Sequence, residues 1–507
     1  MKKFLQPLPF LVLAGVLLVG CAGEDGEAGP QGPAGTNGTN GSNGADGAQG
    51  PQGPAGPQGP AGQDGQDGQN YQAWAWVGSN NTACATCHGE TVGEWLGSGH
   101  PNAFETLVNA GSSNNPYCLQ CHTLGWDAPV AYGDTTITDH GLDHGGYDDF
   151  WGSTDTDDIA RAHALEGVQC ESCHGSMGPS MYNHDPEVSL ATRFEGGESL
   201  APCASCHGEQ MEQWHEGAHG SWYERTGETV EDYSAEWNRT ACWKCHGAEG
   251  FIANYDPDYA GMLPGATLDL VGCVACHDPH NAANPAQVRT LADATVLYAV
   301  NQPATFTGQG TSQLCAQCHQ ARRDAANVES QVHGNGTTFG TLRGPHESPQ
   351  MDMFLGTGSF EIPGFTYNRG MDGFAHKAIG SACVTCHMEA SAPHGYPLHD
   401  HTFEATLTAC TGCHGAGVTS FDIDAFDGNG TGGQTEIMNL MTSIENFFGV
   451  PGDSLSSTTY TATITNPAHR EAIYGYLFVK NDGSHGVHNP AYATSLLTSA
   501  LQHLQNN

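Results

Sequence analysis

The chain has 507 residues, with 15 lysines and arginines against 55 aspartates and glutamates and a net charge of -40. Such acidity excludes nucleic acid as a partner and argues against docking on anionic lipid through a basic patch. Only 38% of the residues are hydrophobic and 69 are glycine, too little apolar side chain for a large conventional core, so some other apolar mass must hold the chain together.

Residues 1–20 begin with Lys2 and Lys3, continue through an apolar stretch from Phe4 to Val19 broken by Pro7 and Pro9, and have the layout of a secretory signal. The stretch ends Leu18-Val19-Gly20-Cys21, which resembles the lipobox of bacterial lipoproteins; that resemblance implies cleavage before Cys21 and lipidation of its sulfur and new amino group. An ordinary signal with an incidental cysteine is the weaker reading, because every other cysteine falls in one repeated motif. No later segment approaches about 18 consecutive apolar residues, so the expected tie to the membrane is the lipid anchor.

Glycine then recurs at every third position from Gly23 to Gly68, making residues 21–70 a lipid-anchored, collagen-like Gly-X-Y stalk. Only glycine fits at the axis of a triple helix, and Pro30, Pro33, Pro51, Pro54, Pro57 and Pro60 preset the extended backbone. Between Gly35 and Gly47 there is no proline, which leaves two readings open: a triple helix, hence a homotrimer, or a single-chain tether. A triple helix would span on the order of 140 Å.

Residues 71–414 contain nine copies of Cys-x-x-Cys-His. The cysteine pairs are Cys84 and Cys87, Cys118 and Cys121, Cys170 and Cys173, Cys203 and Cys206, Cys242 and Cys245, Cys273 and Cys276, Cys315 and Cys318, Cys383 and Cys386, and Cys410 and Cys413. The histidines that close them are His88, His122, His174, His207, His246, His277, His319, His387 and His414. Two thiols three residues apart on one turn can each form a thioether to a haem vinyl group, and the next histidine can take the iron from the proximal side. Zinc ribbons and thioredoxin-like pairs do not demand histidine as the fifth residue nine times out of nine. Nine covalent c-type haems are therefore expected. At about 37 residues per haem, the predicted fold class is loops and short α-helices wrapped around stacked haems, with little β-sheet.

Nine further histidines are candidate distal iron ligands: His100, His163, His184, His219, His280, His346, His376, His401 and His488. His100 and His219 stand in matching modules, Glu94-Trp95-Leu96-Gly97-Ser98-Gly99-His100 and Gln213-Trp214-His215-Glu216-Gly217-Ala218-His219. With His163 ahead of Gly167-Val168-Gln169-Cys170-Glu171-Ser172-Cys173-His174-Gly175, these segments resemble the multihaem cytochromes of the cytochrome c554, hydroxylamine oxidoreductase and octahaem group. The resemblance implies distal ligation by these histidines; the nearest substitutes are His140, His144, His215, His333, His399 and His485. Which haem each one serves is not decidable from sequence. The chain departs from the octahaem pattern in its nine motifs, in the long step from Cys315 to Cys383 and in its stalk.

Residues 415–507 hold no cysteine and are expected to form a helical region that supplies one distal ligand, His488. Asn466-Pro467 and Asn489-Pro490 predict helices over 467–479 and 490–504, the first with a single buried face of Ala472, Ile473, Tyr476 and Leu477. The acidic stretch Asp422 to Gly430 reads as a solvated turn, with a calcium loop as the weaker alternative.

An iron with two histidines is coordinatively closed, which favours electron transfer over catalysis. The expected role is electron transfer from a membrane or periplasmic donor to an extracellular acceptor: a metal oxide mineral, another cytochrome or a partner cell. No residue is expected to act as acid, base or nucleophile. One alternative is a multihaem reductase of nitrogen or sulfur oxyanions with one open haem, for which Lys377 and Lys480 are candidate lysine ligands. The other is a trimeric structural or filament-forming cytochrome. The expected location is the outer membrane or cell surface.

Overall fold

The structure is a computed structural model, and it describes residues 76, 78, 84–126, 145–174, 201–221, 240–255, 271–299, 304–334, 339–370, 375–391, 398–424 and 430–507. The chain divides between Ala73 and Trp74. The signal, Cys21 and the stalk precede that division and lie outside the described residues.

From residue 74 onward the described chain is helical, with sheet confined to two antiparallel pairs. Strand β1 (Ala294–Thr295) pairs with β2 (Thr305–Phe306), Ala294 opposite Phe306; β3 (Ala390–Ser391) pairs with β4 (Leu398–His399), Ala390 opposite His399. Most helices ahead of residue 430 are one or two turns long, and several consist of little more than the motif itself, such as Cys170–His174, Thr240–His246 and Ala382–His387. The motif closes its own turn. The backbone N–H of His88, His207, His277 and His319 donates to the carbonyl of the first cysteine, four residues earlier, at 2.8 to 3.0 Å. That turn places both thiols and the imidazole on one side of the backbone.

Two of these turns continue in the same way. Helix α1 (Gly89–Trp95) follows His88 and helix α2 (Gly208–Glu216) follows His207; the two histidines share nearly the same backbone conformation (φ -113, ψ 42 and φ -107, ψ 43). Trp95 and Trp214 are buried at the ends of these helices, and the Trp214 indole N–H donates to the Val271 carbonyl at 3.1 Å.

The largest side-chain core is C-terminal. Helix α3 (Ala325–His333) contributes Val328 and Val332, α4 (Gly433–Phe448) contributes Ile437, Met441 and Ile444, and α5 (Pro467–Asp482) and α6 (Pro490–Asn506) pack along one another. The Asn466 and Asn489 side chains cap α5 and α6 by accepting from the N–H groups of Ala468 and Tyr492. Both helices run two to three residues beyond their predicted ends. The expected single buried face of α5 needs correction: Tyr474, Phe478 and Val479 are buried as fully as Ala472, Ile473 and Tyr476. Helix α5 is enclosed by α3 and α6 together with Gln350–Leu355, so it has no solvent side for a polar stripe.

Candidate haem sites and their histidine pairs

The eighteen motif cysteines are all free of disulfides. Between the motifs, the structure brings seven of the candidate distal histidines opposite seven of the motif histidines. Ring centroids are 6.4 Å apart for His100 and His207, 6.1 Å for His280 and His174, 6.1 Å for His219 and His319, and 5.9 Å for His346 and His246. The remaining pairs are His401 with His277 at 6.3 Å, His376 with His414 at 6.2 Å, and His488 with His387 at 6.1 Å. An imidazole centre lies about 1.1 Å from its Nε2 and a metal–imidazole bond is about 2 Å, so two rings on opposite sides of one metal have centres about 6.2 Å apart. The pairs have the spacing that a shared iron requires.

The chemistry of the rings fits as well. Burial is the first cause that lowers the pKa of His100, His207, His277, His280, His319, His376, His387 and His401 below the ordinary histidine value, which favours the neutral form that binds metal. At His277, His376, His387 and His401, Nδ1 lies 2.7 to 3.1 Å from the carbonyls of Ala286, Val487, Phe403 and His399. A carbonyl only accepts, so the proton sits on Nδ1 and the Nε2 lone pair is left for iron.

The pairing crosses between motifs in a way that local sequence does not encode. Numbering the motifs 1 to 9 in chain order, the histidine after motif 1 meets motif 4, and the histidine after motif 4 meets motif 7. His280, just after motif 6, meets motif 3, and His346, after motif 7, meets motif 5. His401, ahead of motif 9, returns to motif 6.

Two candidates stand apart. His163 is 67% exposed with Nδ1 on the Glu166 carboxylate at 2.6 Å, and His184 lies outside the described residues. Among the substitutes, His333 binds Glu329 and Glu471 through its two nitrogens, and His399 Nδ1 meets the Met388 carbonyl; His140 and His144 lie outside the described residues. Lys377 donates to the carbonyls of Leu355 and Arg369, with burial the first cause of a pKa lowered to about 8, and Lys480 donates to Ser456 Oγ. Asp422 accepts from the backbone N–H and hydroxyl of Thr435 in the first turn of α4, and Asp424 from the Gly430 N–H; residues 425–429 lie outside the described residues. Sequence reasoning missed the groups behind the ligands: Gln350 Oε1 at 3.2 Å from His319 Nδ1, Ser348 Oγ at 3.0 Å from His346 Nδ1, and Asp482 behind His488. None belongs to a recognisable motif.

The thiols of different motifs also meet. Cys84 shares a hydrogen bond with Cys170, Cys121 with Cys206, Cys203 with Cys273, Cys245 with Cys318, and Cys315 with Cys383. Cys276 lies within electrostatic range of Cys315 and Cys318, and Cys386 within range of Cys410 and Cys413. Each of these cysteines would hold a haem through a thioether, so thiols that meet would bring the haems they hold close to one another.

Repeated haem-binding turns, little sheet and a scaffold of short helices define a multihaem c-type cytochrome, and this chain is one, with covalently bound c-type haems and a collagen-like N-terminal segment. The cytochrome c554 and c-prime family matches residues 83–143 and 202–278, a doubled CXXCH motif matches residues 269–324, and the collagen triple helix repeat matches residues 19–73. Similar solved structures include the outer cell wall cytochrome OcwA, at 18% identity and a TM-score of 0.49, covering 85% of this chain and 100% of that one. An undecahaem cytochrome from the S-layer of Carboxydothermus ferrireducens matches at 18% identity and a TM-score of 0.45, over 85% of this chain and 69% of that one. No curated protein matches.

Proposed function

We propose that the chain is an exported, lipid-anchored conduit that carries electrons to an acceptor outside the cell through nine c-type haems, each held by two histidines. The observation that carries this reading is the set of seven imidazole pairs at 5.9 to 6.4 Å. His163 and His184 are assigned to the two remaining sites, behind His88 and His122. Bound haem would supply reversible one-electron chemistry, and the chain's part would be to offer two histidines to each iron and to bring neighbouring sites together.

The thiol contacts, with the electrostatic proximity of Cys276 to Cys315 and of Cys386 to Cys410, support an order of the sites. Sites 2, 4, 6, 7, 8 and 9 form a series, site 5 branches from site 7, and sites 1 and 3 lie beside site 6, since His280 of site 3 is three residues from His277. Cys21 anchors the chain and the stalk holds the array away from the membrane, as a trimer if the Gly-X-Y run winds into a triple helix. The acceptor is a redox protein or a mineral surface. A solvated turn is assigned to Asp422–Gly430 in preference to a calcium site.

The test is a haem count by pyridine haemochrome together with spin quantification by low-temperature EPR of the oxidised protein. Nine low-spin haems and no turnover of nitrite, hydroxylamine or tetrathionate are expected. A high-spin haem in the untreated protein, accompanied by turnover of one of these, overturns the proposal in favour of a reductase.

A further inference from the structure

Site 8 has a ligand partner of a different kind from its neighbours. His488 Nδ1 lies 2.7 Å from Asp482 Oδ1, and the Asp482 side chain is wholly buried. In six other paired histidines Nδ1 meets a neutral oxygen: backbone carbonyls for His277, His376, His387 and His401, the Gln350 amide for His319 and the Ser348 hydroxyl for His346. The two rings of site 8 therefore differ from each other, His387 resting on the Phe403 carbonyl and His488 on a carboxylate.

Folding alone does not favour a carboxylate here. Asp482 is the last residue of α5, where the aligned peptide carbonyls already concentrate negative charge, and burial adds a desolvation cost. Its other oxygen accepts from the backbone N–H and the hydroxyl of Ser484, and among the described residues no lysine or arginine forms an ion pair with it. The amide of Gln350, whose oxygen faces His319 of site 7, donates to the Asp482 backbone carbonyl at 3.2 Å, so the residue behind His488 is tied through its backbone to the residue behind His319.

A carboxylate that accepts the N–H of a metal-bound imidazole makes that imidazole a stronger donor and favours the more positive oxidation state of the metal. We infer that Asp482 is a positioning residue that stabilises oxidised iron at site 8, lowering its midpoint potential below the value it would have with a neutral acceptor. The inference rests on the ligand assignment proposed above. Site 8 lies between sites 7 and 9 in the proposed order, so in the one-electron exchange between them an electron is held less strongly at site 8 than it would be with a neutral acceptor behind His488.

The test uses the full-length haem-loaded protein and spectroelectrochemical titration followed by EPR. His488→Ala comes first and should create one high-spin haem; if it creates none, the ligand assignment fails and the inference fails with it. Given that signal, Asp482→Asn should move one midpoint upward and leave the other eight and the low-spin count in place. Ser484→Ala removes a donor that competes for the carboxylate and should move the same midpoint downward. If Asp482→Asn moves no midpoint, or moves all of them together, the tuning role is wrong while the conduit stands. Should Asp482→Asn not fold, Ser484→Ala decides alone, and no movement or an upward one overturns the inference.

Discussion

His346→Ala should open one iron and leave the others closed. The truncation removes a ring whose centre is 5.9 Å from that of His246, and with it a nitrogen that would sit about 2 Å from the iron. Little else is lost locally: the His346 backbone N–H still donates to the Ala321 carbonyl at 2.9 Å, and the Ser348 hydroxyl keeps the Cys318 and Gln320 carbonyls within reach at 3.4 and 3.5 Å. One site among nine motifs changes, so one-ninth of the haem should become high-spin and bind one equivalent of cyanide per chain. EPR spin quantification and a cyanide titration of the Soret band read this directly. On the proposed branching of site 5 from site 7 through Cys245 and Cys318, the stopped-flow reduction rate of the other eight sites should not change. A variant that stays wholly low-spin refutes the pairing of His346 with His246. A slowed reduction of the remaining haems refutes the branch.

Arg470 is fully buried, and its guanidinium donates to the carbonyls of Gln331, Ile464 and Gly340 while lying 5.2 Å from the Phe339 ring. Arg470→Met leaves those carbonyls without their donor and should cost roughly 3–5 kcal/mol in urea unfolding without altering the haem spectra of the folded protein. Burial pushes the Asp352 carboxyl up to about 7 against the opposing hydrogen bond from the Ala321 N–H. The folded state therefore holds a proton that the unfolded state has released, and stability falls as pH rises from the ordinary carboxylate range through 7, by at most about 4 kcal/mol at about 1.4 kcal/mol per unit. Asp352→Asn should flatten that pH dependence in thermal melts; a slope that persists assigns it to another group. Deleting residues 23–70 should convert a trimer to a monomer in sedimentation without changing the haem spectra, and an unchanged oligomer excludes the stalk as its cause.

The motif turns were legible because their geometry is local: a Cys-x-x-Cys-His turn closes its own hydrogen bond from His277 to Cys273 or from His319 to Cys315. Seven of the nine candidate distal histidines face a motif histidine, and which one each faces was not legible. His100 and His219 carry the same surroundings in sequence, yet what each one faces depends on where α1 and α2 pack, and no residue of the module encodes that. Helix α4 was missed for a comparable reason. Its N-cap is Gly432, which has no side chain to cap with, and the carboxylate that accepts from its Thr435 N–H belongs to Asp422, thirteen residues back. The reading of α5 as one-sided failed because its far side meets other helices in place of water.

The span of the histidine pairs would, on the proposed ligation, explain how so little side-chain core can hold this chain. His100 with His207, His174 with His280, His219 with His319, His246 with His346, and His387 with His488 each join positions roughly 100 residues apart, and His277 with His401 somewhat more. In the chain-entropy treatment a single cross-link closing a loop of that length is worth about 4–5 kcal/mol, and overlapping links contribute less than their sum. An iron bound by both rings of such a pair would be a cross-link of this kind. The C-terminal helices, with Tyr474, Tyr476, Phe478 and Tyr492 buried, have a core of their own. Among the described residues the segments ahead of α3 have only small clusters, such as Leu107, Leu119, Leu124 and Leu165, so their order should depend on ligation. Replacing a distal histidine there should loosen the fold as well as open an iron, whereas His346→Ala, beside the C-terminal core, should open the iron with the smaller structural cost.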